Sequence, residues 1–293
     1  MRFERRKLCC AETLPVCGRK EDGKRMTPQN LQKELLLTHA QMIRFFRVRQ
    51  DHPQIRSMKR MAEALPEVHR RMLNTAFAES LRLLIDPSRG IVDGMIDREE
   101  LEQTHHRFDR MVDADTGYKA LAALDREAAR LQRGDLSLAA LEGAGLGTLG
   151  IGCPEAAVMT ALMLRSIFET AIAYGVNVSH PWERELMLML LAAVFARSED
   201  ASAQHRQLAA VLRRLGEGEP PGIDREHRIQ LAARRMSESM SLQKFIQGIP
   251  VFGVSGMFFN TAAVVRLNTL SRYVYRERYL SAKLRAAKRH IAE

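Results

Sequence analysis

PEAAVMTALMLRSIFETAIAYG, residues 154–175, decides the fold class. Proline suits the first turn of a helix and glycine the residue past its end, so Pro154 and Gly175 bracket one long helix. After Glu155 its only charges are Arg165 and Glu169, and most of the remainder is apolar. Such a helix is expected at the centre of a bundle rather than on its surface. Arg165 and Glu169 stand four residues apart, in the less favourable order for an isolated helix. With apolar neighbours on both sides they are expected as a buried polar pair, because a buried charge needs a partner.

Downstream, a second apolar helix spans Pro181 to Ala196 and contains LMLMLLAAVFA. The apolar runs Ala156–Leu164 and Leu186–Ala196 each fall short of the roughly 20 residues that cross a bilayer. Gly216 to Gly222 is a loop by composition, and a charged helix follows from Asp224. Phe245–Val265 then runs 21 residues without a charge, between Lys244 and Arg266. Gly248, Pro250, Gly253 and Gly256 interrupt it, so it is expected as a broken segment, either buried in protein or laid into a membrane.

Upstream, five glycines fall between Gly143 and Gly152, and before them the helices are more polar. Helical spacing of apolar residues predicts elements over about Leu31–Arg49, Pro66–Ile85, Arg98–Val112 and Gly117–Gln132. Strand alternation and hairpin signals are essentially missing. The expectation is an all-α, multi-helix bundle with a long apolar central helix and a Gly/Pro-broken apolar segment near the C-terminus. Residues 1–30 read as a basic, disordered extension and 31–280 as one helical domain. Within that domain 31–142 is polar and 143–280 the apolar core; 281–293 is a basic helix end.

Charge is unevenly placed. The 293-residue chain carries a formal charge of +10. Residues 1–30 hold eight basic and four acidic groups, residues 266–293 hold eight and two, and the span between is neutral. Four cysteines make no disulfide framework, and Cys9, Cys10 and Cys17 lack the fourth donor of a structural metal site. The basic start never reaches an apolar run of signal-peptide length, which predicts a cytoplasmic protein.

No chemical motif survives its context. Gly145-Leu-Gly147-Thr-Leu-Gly150 matches a dinucleotide fingerprint, but a helical stretch precedes it where a strand is required. Asp86 to Asp97 has acidic ends like a calcium loop, yet Ile91 stands where the sharp turn needs glycine. His105, Asp109 and Asp113 share a helix face, where a solvated charged surface outweighs a hydrolase site. No catalytic, cofactor-binding or metal-binding residue is assigned, no cofactor is expected, and an enzyme is the less favoured reading.

The tail interleaves aromatic rings and cations: Arg272, Tyr273, Tyr275, Arg276, Arg278 and Tyr279. Rings among headgroups and cations against anionic lipid anchor helices at membrane surfaces. These six are therefore the expected membrane or partner contacts. Nucleic acid, which the same composition also suits, is the alternative; it is disfavoured because the adjacent segment is the chain's most apolar.

Together, the Gly-rich entry to Pro154, the helix closing in Tyr174-Gly175, Gly248-Ile-Pro250, Asn260 and the closing Tyr275-Arg-Glu-Arg-Tyr-Leu280 resemble the EcsC family. The likeness covers roughly Leu31 to Leu280. That family is named after a protein encoded with the subunits of a bacterial ABC transporter. The resemblance implies a bacterial, helical, membrane-associated accessory protein, peripheral on the cytoplasmic membrane and working with a transporter. It supplies no catalytic residues, and implies that Pro154, Tyr174, Gly175, Pro250, Asn260 and Arg276 are structural positions.

Overall fold

A computed structural model describes residues 26–47, 67–114, 117–131, 154–196, 200–220, 222, 224–246 and 261–292. The described residues form nine α-helices and two 3-10 turns, with no strand among them. In chain order the helices are α1 (Pro28–Arg47), α2 (Glu67–Ile85), α3 (Arg98–Asp113), α4 (Gly117–Leu131) and α5 (Pro154–Ala173). Then come α6 (Pro181–Val194), α7 (Ala201–Gly216), α8 (Arg225–Ile246) and α9 (Thr261–Ala292). The all-α expectation holds. Helix α1 begins at Pro28, inside the stretch assigned to the extension, and α7 is a helix that the sequence pattern did not assign. The glycine-rich stretch before Pro154, the apolar stretch 247–260 and Cys9, Cys10 and Cys17 lie outside the described residues.

Helix α5 packs against α2, α3, α4 and α9 and buries Ile167, Phe168 and Ala171 completely. Its window Ala156–Ala173 is long and apolar enough to cross a membrane, longer than the run Ala156–Leu164 predicted; 89% of it is buried in the bundle. Burial on that scale marks it as the core helix of the bundle. Truncating Phe168 to alanine would cost about 3–5 kcal/mol, lost transfer energy plus the cavity left behind. The helix ends in a Schellman turn. Gly175 has φ +76°, its N–H donates to Ile172 (2.8 Å), and the Val176 N–H donates to Ala171 (3.0 Å).

The calcium-like stretch is spent on local structure. The Asp86 carboxylate accepts from the Ser88 N–H (3.0 Å) and starts a 3-10 turn. Asp97 accepts from the Glu100 N–H (3.0 Å) and caps α3. Asp93 receives Arg184 Nη2 at 3.1 Å, while Arg184 Nη1 donates to the Ile85 carbonyl at 3.0 Å. Arg184 is fully buried on α6, so this pair ties α6 to the end of α2.

Helix α9 is 32 residues long, about 48 Å at 1.5 Å per residue. It packs on α1, α4, α5, α6 and α7. Helix α1 lies antiparallel to it: Glu34 meets Arg276, and Phe45 meets Arg266. Ser166 on α5 donates to Asn268 on α9 (2.8 Å), joining the two central helices.

Candidate functional site

Four carboxylates from four helices converge on the tyrosine/arginine stretch of α9. Arg276 Nε reaches both oxygens of Asp125 on α4 (3.1 and 3.0 Å), and Nη2 reaches Glu34 on α1 at 2.9 Å. Its Nη1 donates to Thr38 Oγ1. Tyr174 at the end of α5 donates to the same Asp125 at 2.6 Å. One turn on, Tyr279 donates to Asp109 on α3 at 2.9 Å, and Lys283 bridges Asp109 and Asp113 at 2.8 Å each. Arg278 clasps Glu183 on α6 with both Nη atoms. Tyr275 is fully buried beneath it.

The titrations follow from burial against partner. Arg276 is pulled down by burial and pushed up more strongly by Asp125 and Glu34, so its charge is locked. Burial, together with Asp125 for Tyr174 and Asp109 for Tyr279, drives both phenols well above the usual value, leaving them neutral donors. Asp109 is pushed up by burial but held below the usual carboxylate range by Lys283 and Tyr279.

Of the six residues expected as membrane or partner contacts, Tyr275, Arg276 and Tyr279 are buried in the bundle, Arg278 is partly open and bound to Glu183, and Arg272 and Tyr273 are partly open. The acids that draw these cations inward sit on other helices, out of reach of any local pattern. Arg165 and Glu169 do meet, at 2.8 Å, and both are mostly buried. Burial raises the Glu169 pKa and Arg165 only partly offsets the rise. The pair lies within α5 and recruits no third group among the described residues.

Beside α9 lies an open cleft of about 1040 Å³, walled by α1, α3, α7 and the α5–α6 turn. His39, His105, His205, Asp109, Glu277 and Lys283 line it. His105 Nδ1 donates to the Ala173 carbonyl at 2.9 Å, and burial lowers its pKa, so the ring is a neutral strut. A Cβ on Gly175 would lie 2.2 Å from His105 Nε2, so glycine is required both for its φ and for this approach. His105 and Asp109 do share a face, but each is committed to a structural partner, which leaves no paired nucleophile and base there. Among the described residues no cluster of His, Cys, Asp and Glu could hold a metal.

The outward face of α1 differs from all of this. Leu36 (61% exposed), Leu37 (44%) and Ile43 (43%) stand in solvent with Ala40 between them. Lys33, Arg44 and Arg47 flank them, also exposed. The one acid of the helix, Glu34, is turned inward to Arg276. The sequence reading passed over this face. Its signal was the run Leu35-Leu36-Leu37, which holds more apolar residues than a single buried stripe can use.

The EcsC protein family model matches residues 54–280. This chain belongs to the EcsC family. No curated protein and no solved structure matches it.

Proposed function

We propose that this EcsC-family chain is a non-enzymatic accessory protein that docks peripherally on the cytoplasmic face of the membrane through the outward face of α1. The observation that carries the reading is that face: an apolar stripe flanked by Lys33, Arg44 and Arg47, with no exposed acid on the helix. A helix with this pattern lies in the interface plane, its apolar side among acyl chains and its cations at anionic headgroups. Each such cation contributes about 1 kcal/mol near an anionic surface. The contact surface thus moves from the α9 tyrosines and arginines, which are engaged inside the bundle, to α1. A transporter subunit is the membrane partner that the family resemblance favours. The same internal pairing of Arg276 and Arg278 argues against nucleic acid, which would need those cations free.

Co-sedimentation with vesicles tests it. The protein is expected to pellet with phosphatidylglycerol vesicles, to be released by salt, and to ignore phosphatidylcholine. Replacing Lys33, Arg44 and Arg47 by glutamine together should weaken binding by roughly 100-fold, three cations at about 1 kcal/mol each. Replacing Leu36, Leu37 and Ile43 by serine should abolish pelleting. Vesicle binding indifferent to both variants, or tight binding to DNA or RNA at low salt, would overturn the reading.

A further inference from the structure

Arg266, in the second turn of α9, is a partly buried cation with no anion among the described residues. Its Nε and Nη2 are shielded from solvent and donate to no described residue. Burial alone sets its titration, downward, with no carboxylate contributing. Its neighbours on α9 differ: Arg276 has Asp125 and Glu34, Arg278 has Glu183, and Arg272 leaves only its Nε without a partner. Arg228, the other arginine with the same two atoms unpartnered, has the Glu185 carboxylate in its field. An unpaired charge out of water costs several kcal/mol and is normally compensated.

The geometry around Arg266 is that of a prepared fork. Its guanidinium stacks on the Phe45 ring, 4.5 Å from the centroid. Stacking fixes the plane of the group without using any of its N–H donors. Nε and Nη2 form the side-on edge that receives two oxygens of a carboxylate or phosphate in parallel hydrogen bonds. Arg44 and Arg47, the basic last turn of α1, add positive field at the same end of the bundle. The residue as a whole is only partly buried while this edge is covered, so an oxyanion reaches the edge by opening the contacts that shield it.

We infer that Arg266, seated on Phe45 at the junction of α1 and α9, is a phosphate-binding site that takes one phosphate group bidentately through Nε and Nη2. The phosphate comes either from an anionic lipid headgroup, in which case the site deepens the membrane reading above, or from a free phosphate. The uncharged stretch that begins at Phe245 ends at Val265, beside this arginine, which favours the headgroup.

Full-length wild type and Arg266→Met, with Arg110→Met at an exposed position of α3 as a charge-matched control, separate these cases. Methionine keeps the contact with Phe45 and removes the charge. Without added anion the Arg266→Met protein should melt at or above the wild-type temperature; a fall of several degrees would mean a structural arginine and overturn the site. Inorganic phosphate, at ionic strength matched with chloride and checked against Arg110→Met, should raise the wild-type melting temperature saturably and leave Arg266→Met without the saturable part. Equal responses would overturn it. With phosphatidylglycerol vesicles, a loss of about tenfold or more in Arg266→Met assigns the headgroup as the source. Unchanged vesicle binding beside a lost phosphate response assigns the free ion. Wild type that ignores vesicles but keeps the Arg266-dependent phosphate response would defeat the α1 reading and leave this one standing.

Discussion

Helices α1 and α9 run side by side, and each carries cations among apolar or aromatic residues, yet the two use them oppositely. On α9, Arg276, Arg278 and Lys283 turn inward and meet Glu34, Asp125, Glu183, Asp109 and Asp113. On α1, Lys33, Arg44 and Arg47 turn outward and the helix shows no acid beside them. Composition alone predicts the reverse, because the α9 stretch is richer in arginine and tyrosine. A basic aromatic stretch becomes a surface only if the rest of the fold offers it no carboxylates. Here α1, α4 and α6 offer one each and α3 offers two at the right height, and the α9 cations became internal stitches.

The largest effect should come from breaking the inward side. Arg276→Met leaves Asp125 and Glu34 facing each other with no counter-charge, and should cost about 3–5 kcal/mol in urea denaturation. Adding Glu34→Gln and Asp125→Asn to that variant should recover most of the loss, since a neutral cluster carries no uncompensated charge. A loss under about 1 kcal/mol for Arg276→Met would show that the cluster is wet and α9 less buried than described.

Gly175→Ala comes next. It forces a side chain into φ +76° and puts its Cβ 2.2 Å from His105 Nε2. The left-handed conformation alone costs about 1–2 kcal/mol, so at least about 2 kcal/mol in total is expected by denaturation. The double variant with His105→Ala should return only the collision part. Full return would mean that the backbone there is unstrained.

A smaller and pH-dependent effect belongs to the seam between the two helices. His39 on α1 pairs with Glu277 on α9 at 2.6 Å, and that bond, with the Glu277 charge, raises its pKa above 6.5 despite burial. A raised folded-state value means the stabilisation is fully present below about pH 6.5 and is lost as pH rises through the folded value. His39→Asn should therefore be less stable than wild type at pH 6 and converge with it by about pH 9 in paired melting curves. A gap that widens with pH would reverse the assignment. His205, lowered chiefly by burial, has the opposite dependence and sits across the same seam.

The smallest effect on stability tests the outward side. Serine at Leu36, Leu37 and Ile43 together should leave the unfolding free energy within about 0.5 kcal/mol per site, as for exposed positions with no partner. A loss comparable to that of Arg276→Met would place those residues in an intramolecular contact and end the contrast between the two helices.

Much of the fold was legible before any coordinates. Proline and glycine punctuation placed the ends of α5 correctly, because a missing N–H and a tolerated positive φ are local properties of those residues. The burial of α5 and α6 followed from having too few polar residues to face water. The role of the α9 cations was not legible. Glu34 and Arg276 are 242 residues apart, and Asp125 and Arg276 are 151 apart. No periodicity within one helix reports an ion pair that is assembled by packing two others.

The sequence by itself determined most of the helices, the identity of the central one and membership of the EcsC family, since each rests on short-range propensity or on order along the chain. Only the tertiary structure decided which charges meet. Coulomb attraction and burial depend on through-space distance, and the same arginine is a stitch at Arg276 and an unanswered cation at Arg266. What separates them is whether another helix brings a carboxylate within 4 Å.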